Sequence, residues 1–154
     1  MKPFLCPKHC AQAMANPARN QLLCDKLLLA ARAELLHERW AEAIPYYGTA
    51  FEASQLLLNP AASAAPASPD NVRQQQYLRI ALELIYACRK CHHTIDLAEL
   101  IELTKRPLAL TMAPIPLQQL MAPLIGVAFS PLPSVDEWMR RLLAVEEARE
   151  QTLH

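Results

Sequence analysis

Apolar residues recur at helical spacing along much of this chain. The stretch 22–36 contains no Gly or Pro and is rich in Leu and Ala, which are strong helix formers. A second apolar series starts at Trp40 and continues to Leu58 at intervals of three and four residues, which places it on one face of a helix. Because only residues 37–39 separate the two series, the pattern predicts an antiparallel helical hairpin over residues 22–58.

A second helical hairpin is predicted over residues 69–106. Its first helix carries apolar residues at the same spacing, and its second helix is expected to start at Ile95 after a Thr94 cap and to end before Pro107. Residues 59–69 connect the two hairpins and are rich in Pro, Ser and Ala without an apolar face. They are therefore expected to form a flexible surface loop.

The last third of the chain combines an uncharged segment with a final amphipathic helix. Residues 107–133 are rich in Pro and contain no Asp, Glu, Lys, Arg or His, but the prolines leave no uninterrupted apolar helix that could span a membrane. A short helix ending at Gly126 is predicted inside this segment, which serves either as a core-covering connection or as an association surface. Ser134 and Glu137 have the spacing of a capping box and predict a C-terminal helix over residues 134–151.

Composition favours an all-α fold in one domain. The chain has 154 residues, of which 53% are hydrophobic, with Leu and Ala dominant and β-branched residues few. Residues 1–20 are expected to form an N-terminal arm that packs on the first long helix. The pattern as a whole predicts a single helical domain of about five to six helices over residues 1–154.

The charge and the cysteine content limit the kinds of partner the chain could bind and the compartment in which it is expected. The formal net charge is zero and no long run of Lys or Arg occurs, which argues against nucleic acid binding through phosphates. The N-terminus lacks the apolar region of a signal peptide, and the cysteines number five, an odd count. A disulfide framework is therefore not expected, and the chain is predicted to be cytoplasmic.

The first hairpin resembles a unit of the tetratricopeptide repeat (TPR) family. Trp40 occupies the aromatic position that opens the second helix of such a unit, and Ala43 occupies the small position where its two helices cross. Further matches are Ala31, Tyr47 and Ala50, whereas Glu38 stands where the turn of the family usually has Gly. The resemblance implies TPR-like antiparallel hairpins that form a groove for a peptide or helix of a protein partner. An ordinary αα-hairpin would obey the same packing rules.

Two Cys/His clusters are candidates for metal or redox chemistry. The first has the pattern C-x-x-H-C near the N-terminus, and the second has the pattern C-x-x-C-H at the end of the third predicted helix. Soft ligands from both could close a tetrahedral zinc site if the arm folded back over that helix. The second pattern also matches covalent haem attachment, and thiols buried as small hydrophobes or paired in a reversible disulfide are further alternatives. The candidate zinc ligands are Cys6, His9, Cys10, Cys88, Cys91 and His92.

No residue pattern indicates catalysis, so the sequence predicts a non-enzymatic protein–protein interaction module of adaptor, chaperone-like or regulatory type without a cofactor. Tyr46 is the first candidate for a partner contact, because one of two adjacent tyrosines must point away from the apolar stripe. Trp40 and Arg39 are the other candidates. A homodimer is also possible, given the high apolar content. The alternative function is that of a regulator stabilised by structural zinc, or responsive to redox state, through the Cys/His clusters.

Overall fold

A computed structural model describes residue 4 and residues 6–58, 70–92, 95–109 and 116–152 of the chain. This part of the chain contains helices and no strand, which confirms the all-α class. The flexible loop predicted for residues 59–69 lies outside the described residues, as does the predicted Thr94 cap. The helices are α1 (Pro7–Ala15), α2 (Pro17–Leu36), α3 (Trp40–Leu57), α4 (Asp70–Lys90), α5 (Leu97–Ala109), α6 (Leu117–Phe129) and α7 (Leu132–Thr152).

Helices α2 and α3 form the hairpin that the sequence predicts, with a longer first helix. Helix α2 begins at Pro17, where the Asn16 side chain accepts a hydrogen bond from the backbone N–H of Arg19 and caps the helix. The turn after α2 places Glu38 at a φ of 58°, in the left-handed region that favours Gly. A side chain there costs about 1 kcal/mol, so the turn is slightly strained where TPR units usually have Gly.

Two helices extend past residues that were expected to end them, Pro107 in α5 and Gly126 in α6. The prediction that α5 runs from Ile95 to before Pro107 is wrong: α5 starts at Leu97 and continues through Pro107 to Ala109. A Pro in a helix removes one backbone hydrogen bond. The extra turn offsets that loss because it buries Leu108. Asp96 takes the capping role, since its Oδ1 accepts hydrogen bonds from the backbone of the first turn of α5.

Helix α6 likewise continues beyond its predicted end at Gly126. It continues through Pro123 and past Gly126 to Phe129, and the added residues Val127 and Ala128 are buried in the core. Gly126 therefore lies inside the helix and does not end it. Burial of the following apolar residues decides where the helix stops.

The start of α7 also differs from the prediction. The helix begins at Leu132, and the backbone N–H groups of Ser134 and Val135 both donate to the carbonyl of Pro131. Ser134 is thus already inside the first turn, so the capping box expected from Ser134 and Glu137 does not start this helix. Glu137 pairs with Arg141 one turn later.

Helix α4 is the centre of the fold. It packs against α3, α5 and α6, and every residue from Ile80 to Cys88 is buried. Tyr77 of α4 stacks on Phe51 of α3 with ring centroids 5.2 Å apart. Helix α2 lies beside α4 in parallel, because Gln21 pairs with Gln76 and, further along both helices, Arg32 pairs with Glu83. A helix that is buried on all sides needs neighbours around its whole circumference. Helix α7 is the remaining neighbour of α4.

The N-terminal residues are held against α3. Helix α1 packs on both α2 and α3, and the backbone N–H of Phe4 donates a 2.7 Å hydrogen bond to Glu52. The Phe4 ring rests on Gly48, where an added Cβ would come within 2.4 Å of the ring. This close approach accounts for a Gly in the middle of a helix, since a side chain at position 48 would displace the Phe4 ring.

No described helix combines the length and apolar character needed to cross a membrane, in agreement with the sequence prediction of no membrane span.

Candidate functional site

A fully buried carboxylate lies at the centre of the molecule. Glu83 occupies the middle of the apolar run of α4 and has no solvent exposure. Both oxygens are bound by Arg32 of α2, at 2.9 Å from Nε and 2.9 Å from Nη2. Arg79 Nε donates at 2.7 Å and the Tyr47 hydroxyl at 2.8 Å. These four hydrogen bonds use the acceptor positions of an ionised carboxylate, which compensates for its burial.

Tyr47 is a donor in this cluster and keeps its proton. Burial, together with the nearby charge of Glu83, raises the pKa of the Tyr47 hydroxyl well above its ordinary value. The hydroxyl therefore remains a hydrogen-bond donor at neutral pH. The cluster joins α2, α3 and α4 through polar side chains in an otherwise apolar core.

Helix α7 adds a second carboxylate to the same two arginines. Glu146 lies 3.7 Å from Arg79 Nη1 and 4.0 Å from Arg32 Nη1. Arg79 also donates from Nη2 to the backbone carbonyl of Leu142 at 3.3 Å. Glu83 neutralises one of the two guanidinium charges, and Glu146 supplies the second negative charge from α7.

A second ionic contact fastens the other end of α7. Asp136 accepts hydrogen bonds from the Tyr86 hydroxyl at 2.6 Å and from Lys90 Nζ at 3.2 Å. Lys90 Nζ also lies 5.2 Å from the ring centroid of Trp40, which packs edge-to-face on Tyr86. Partial burial would raise the pKa of Asp136, but the bonds from Tyr86 and Lys90 outweigh it and hold that pKa below its ordinary value.

Along the stretch that carries these two ionic contacts, α7 presents apolar side chains to the core. Val135 and Met139 are buried, and Leu142 and Leu143 pack partly buried against the core. Asp136 contacts the end of α4 while Glu146 contacts its middle, so α7 runs antiparallel to α4. We call the surface of α2 and α4 under α7 the α7 face; its charged and polar members are Arg32, Arg79, Glu83, Tyr86 and Lys90.

The edge of α7 that faces α6 is loosely packed. An open pocket of about 230 Å³ lies between the two helices there, with Pro123 of α6 and Trp138 of α7 among its lining residues. Trp138 is 42% exposed and Phe129, at the end of α6, is 61% exposed. Helix α7 is thus bound mainly through its contacts with α2 and α4.

Of the predicted partner-contact residues, only Trp40, at the start of α3, lies beside the α7 face. Trp40 is partly buried beside Tyr86 and Lys90. Tyr46 is exposed on the outer side of α3, next in sequence to the buried Tyr47, as predicted from the apolar stripe. Arg39 is exposed and pairs with Glu34 of α2. Tyr46 and Arg39 therefore belong to surfaces other than the α7 face.

The predicted zinc ligands are only partly described. Cys88 is buried, and burial followed by the proximity of Cys91 raises the pKa of its thiol to about 12. Cys91 is half-buried, with its thiol near the Cys88 carbonyl, and His92 is exposed. Cys6 is exposed, and nothing is described of the side chains of the remaining two candidates, His9 and Cys10.

A zinc site across the arm and α4 stays a prediction. Helix α1, which carries two of the candidate ligands, packs on α2 and α3, whereas Cys88 and Cys91 belong to α4 and the turn after it. Within the described ranges, no three His, Cys, Asp or Glu side chains come together as a metal would require.

Sequence reasoning missed the charged residues of the α7 face. A Glu in a helix normally indicates a solvated position. One signal was available, since Glu83 is the only charged residue between Arg79 and Arg89. Because the helix is apolar around this position, a lone charge there is expected to be buried, and a buried charge requires a partner. Its partner Arg32 lies 51 residues away in sequence and carries no local mark.

The chain was also compared with models of protein families, with curated proteins and with solved structures, and none of them matches it. Its function has to be inferred from its own contacts.

Proposed function

We propose that this protein is a non-enzymatic interaction module that holds a helix of a protein partner on the α7 face. One observation carries the proposal: this surface already holds an amphipathic helix, α7, through an apolar centre with an ionic contact at each end. A surface that binds one such helix offers the pockets and charges for another. In the resting protein α7 would occupy the site, and a partner helix would replace it.

Two features of α7 support its displacement. Among the described residues of α7, two apolar side chains are buried, Val135 and Met139, whereas α4 buries a continuous run. The backbone of α7 also approaches those of the other helices at few points, and an open pocket lies between α7 and α6. Segments with few buried apolar contacts open at a lower free energy than the core of a domain.

The TPR resemblance of the first hairpin agrees with this proposal. Helices α2 and α3 form one closely packed hairpin, and α4 packs on α3 and is joined to α2 by the pair of Arg32 with Glu83. In the TPR family the first helices of successive hairpins line the groove that receives a partner. If α2 and α4 act as such first helices, that groove corresponds to the surface that α7 covers here.

The chemistry of the buried charges favours binding over catalysis. All acceptor positions of Glu83 are engaged, by Arg32, Arg79 and Tyr47, so the carboxylate is not available as a base. A fully satisfied buried network serves to fix the relative positions of helices. We therefore assign these residues a role in shaping the α7 face.

Hydrogen–deuterium exchange of the full-length protein tests whether α7 can leave. The amides of α7 should exchange through a local opening well before those of α4, and Asp136→Asn should speed exchange in α7 without changing α3. Glu137→Gln is the matched control, because Glu137 lies on the exposed side of the same helix and pairs only one turn away with Arg141. Exchange of α7 and α4 in one common global opening would refute the proposal.

A further inference from the structure

The α7 face carries a fixed arrangement of charges that remains when α7 leaves. Arg32 and Arg79 share the single buried carboxylate of Glu83, and Lys90 stands at the end of α4. All four side chains belong to α2 and α4. Their charges sum to two positive charges in excess, one near each end of the surface. Glu146 and Asp136 of α7 bring the two matching negative charges.

Any replacement for α7 meets the same requirement. The side chains of Arg32, Arg79 and Lys90 are 14%, 18% and 23% exposed, so water screens their charges only in part. A helix without acidic residues would cover these cations without replacing the carboxylates of Asp136 and Glu146, which is costly away from water. A helix with basic residues at the same places would add repulsion. Charge complementarity therefore selects an acidic ligand.

The spacing of the two contacts adds a second requirement. Asp136 and Glu146 are ten positions apart, which corresponds to about 15 Å along a helix. Val135, Met139 and Leu142 follow one another at intervals of four and three, so they lie on one helix face, with Asp136 next to the first of them and Glu146 beyond the last. The ligand must carry the same apolar stripe and two acidic side chains. The first acid directly follows the first apolar residue of the stripe, and the second lies four positions after the last apolar residue.

Resting on the function proposed above, we infer that the partner of this protein is an acidic amphipathic helix with the charge pattern of α7. Read along the helix, the pattern is apolar, acidic, two variable positions, apolar, two variable, apolar, three variable, acidic. The first acidic residue accepts hydrogen bonds from Tyr86 and Lys90, and the second pairs with Arg32 and Arg79. The partner thus competes with α7 through the same groups that hold α7 in place.

Binding of defined peptides to the full-length protein tests this inference. The first probe is a fluorescent peptide of residues 132–152, and the second keeps only the residues at positions 135, 136, 139, 142 and 146 on an Ala/Gln helix. Both should bind the Asp136→Asn protein about tenfold more tightly than the wild type, because that substitution loosens the resident α7 and leaves Lys90 and Tyr86 intact. The Glu137→Gln protein is the matched control and should bind as the wild type does.

Charge reversal supplies the decisive comparison. Peptides with Lys at positions 136 and 146 should lose binding, and Lys90→Glu in the protein should restore binding of the peptide reversed at position 136 alone. Equal binding of acidic and charge-reversed peptides would overturn the inference. Binding of the peptide of residues 132–152 without binding of the Ala/Gln peptide would also overturn it. If hydrogen exchange shows that α7 opens but neither acidic peptide binds, the acidic partner is refuted and the interaction function is not. If α7 never opens separately from the rest of the protein, the proposed interaction function is refuted as well.

Discussion

The Tyr47 hydroxyl donates a 2.8 Å hydrogen bond to Glu83 Oε1, the same oxygen that Arg32 Nε binds at 2.9 Å. These three residues come from α3, α4 and α2, and they meet where the surrounding core is apolar. Each hydrogen bond is satisfied only when the three helices are in one register along their axes. The polar cluster thus fixes the mutual placement of the helices that form the α7 face.

Glu83→Gln is expected to destabilise the protein by about 3–5 kcal/mol, because it leaves the charges of Arg32 and Arg79 without their buried counter-charge. Urea unfolding followed by circular dichroism measures this loss. The control is Glu34→Gln, which breaks the surface pair with Arg39 and should cost less than about 1 kcal/mol. Similar losses in the two variants would contradict a structural role for the buried cluster.

Alanine substitutions at the two glycines should have different effects. Gly126→Ala should stabilise the protein by about 1 kcal/mol, since no atom outside its chain neighbours and the backbone of its own helix lies within 4 Å of the new Cβ and Ala favours helix. Gly48→Ala should gain less or lose stability, because its Cβ would overlap the Phe4 ring. In a Phe4→Ala background the Gly48→Ala change should recover the full helix gain. A double-mutant cycle by thermal unfolding measures this coupling, and additive effects of the two substitutions would exclude the contact.

Acidification should remove the contribution of Asp136. Tyr86 and Lys90 hold its pKa below the ordinary value of 3.8 in the folded chain, so its stabilising effect is complete above that value and disappears as the pH falls through the folded pKa. The wild type should exceed Asp136→Asn in unfolding free energy by about 1 kcal/mol at pH 7. The difference should vanish at pH values below the folded pKa, as urea unfolding across a pH series would reveal. A difference independent of pH would mean that the carboxylate charge is not involved.

The thiols should differ in reactivity toward iodoacetamide. Burial raises the pKa of both Cys24 and Cys88 to about 12, and the thiolate is the reactive form. Neither should be alkylated in the native protein at pH 8, whereas the exposed Cys6 should react readily. Mass spectrometry of peptides before and after unfolding gives the rates. Native alkylation of Cys88 as fast as that of Cys6 would show that the end of α4 opens and would revive its role as a metal or redox site.

The helical class could be read from the sequence because it depends on local properties. The Leu- and Ala-rich periodic stretches predict α2 and α3, and Trp40 is correctly placed at the start of α3. The ends of helices were less predictable. At Pro107 and Gly126, residues that normally stop a helix lie inside one because the next turn buries apolar side chains, and that gain depends on the neighbouring helices.

The candidate site was less accessible to prediction than the fold. Trp40 could be found from its place in the hairpin pattern, and it does lie beside Lys90. The pairs Arg32–Glu83 and Lys90–Asp136 join positions 51 and 46 residues apart, and only the packing of whole helices brings them together. Spacing within one segment carries no information about such contacts.

The close contact between the Phe4 ring and Gly48 has a consequence for evolution. A side chain at position 48 would overlap the aromatic ring at position 4 where the ring now lies, so a larger residue at position 48 requires the ring to move or to be lost. Homologous chains should therefore vary at these two positions together, keeping an aromatic residue opposite Gly or replacing both. The amino end of the chain would then share its mutational history with the middle of α3, although more than forty positions separate them.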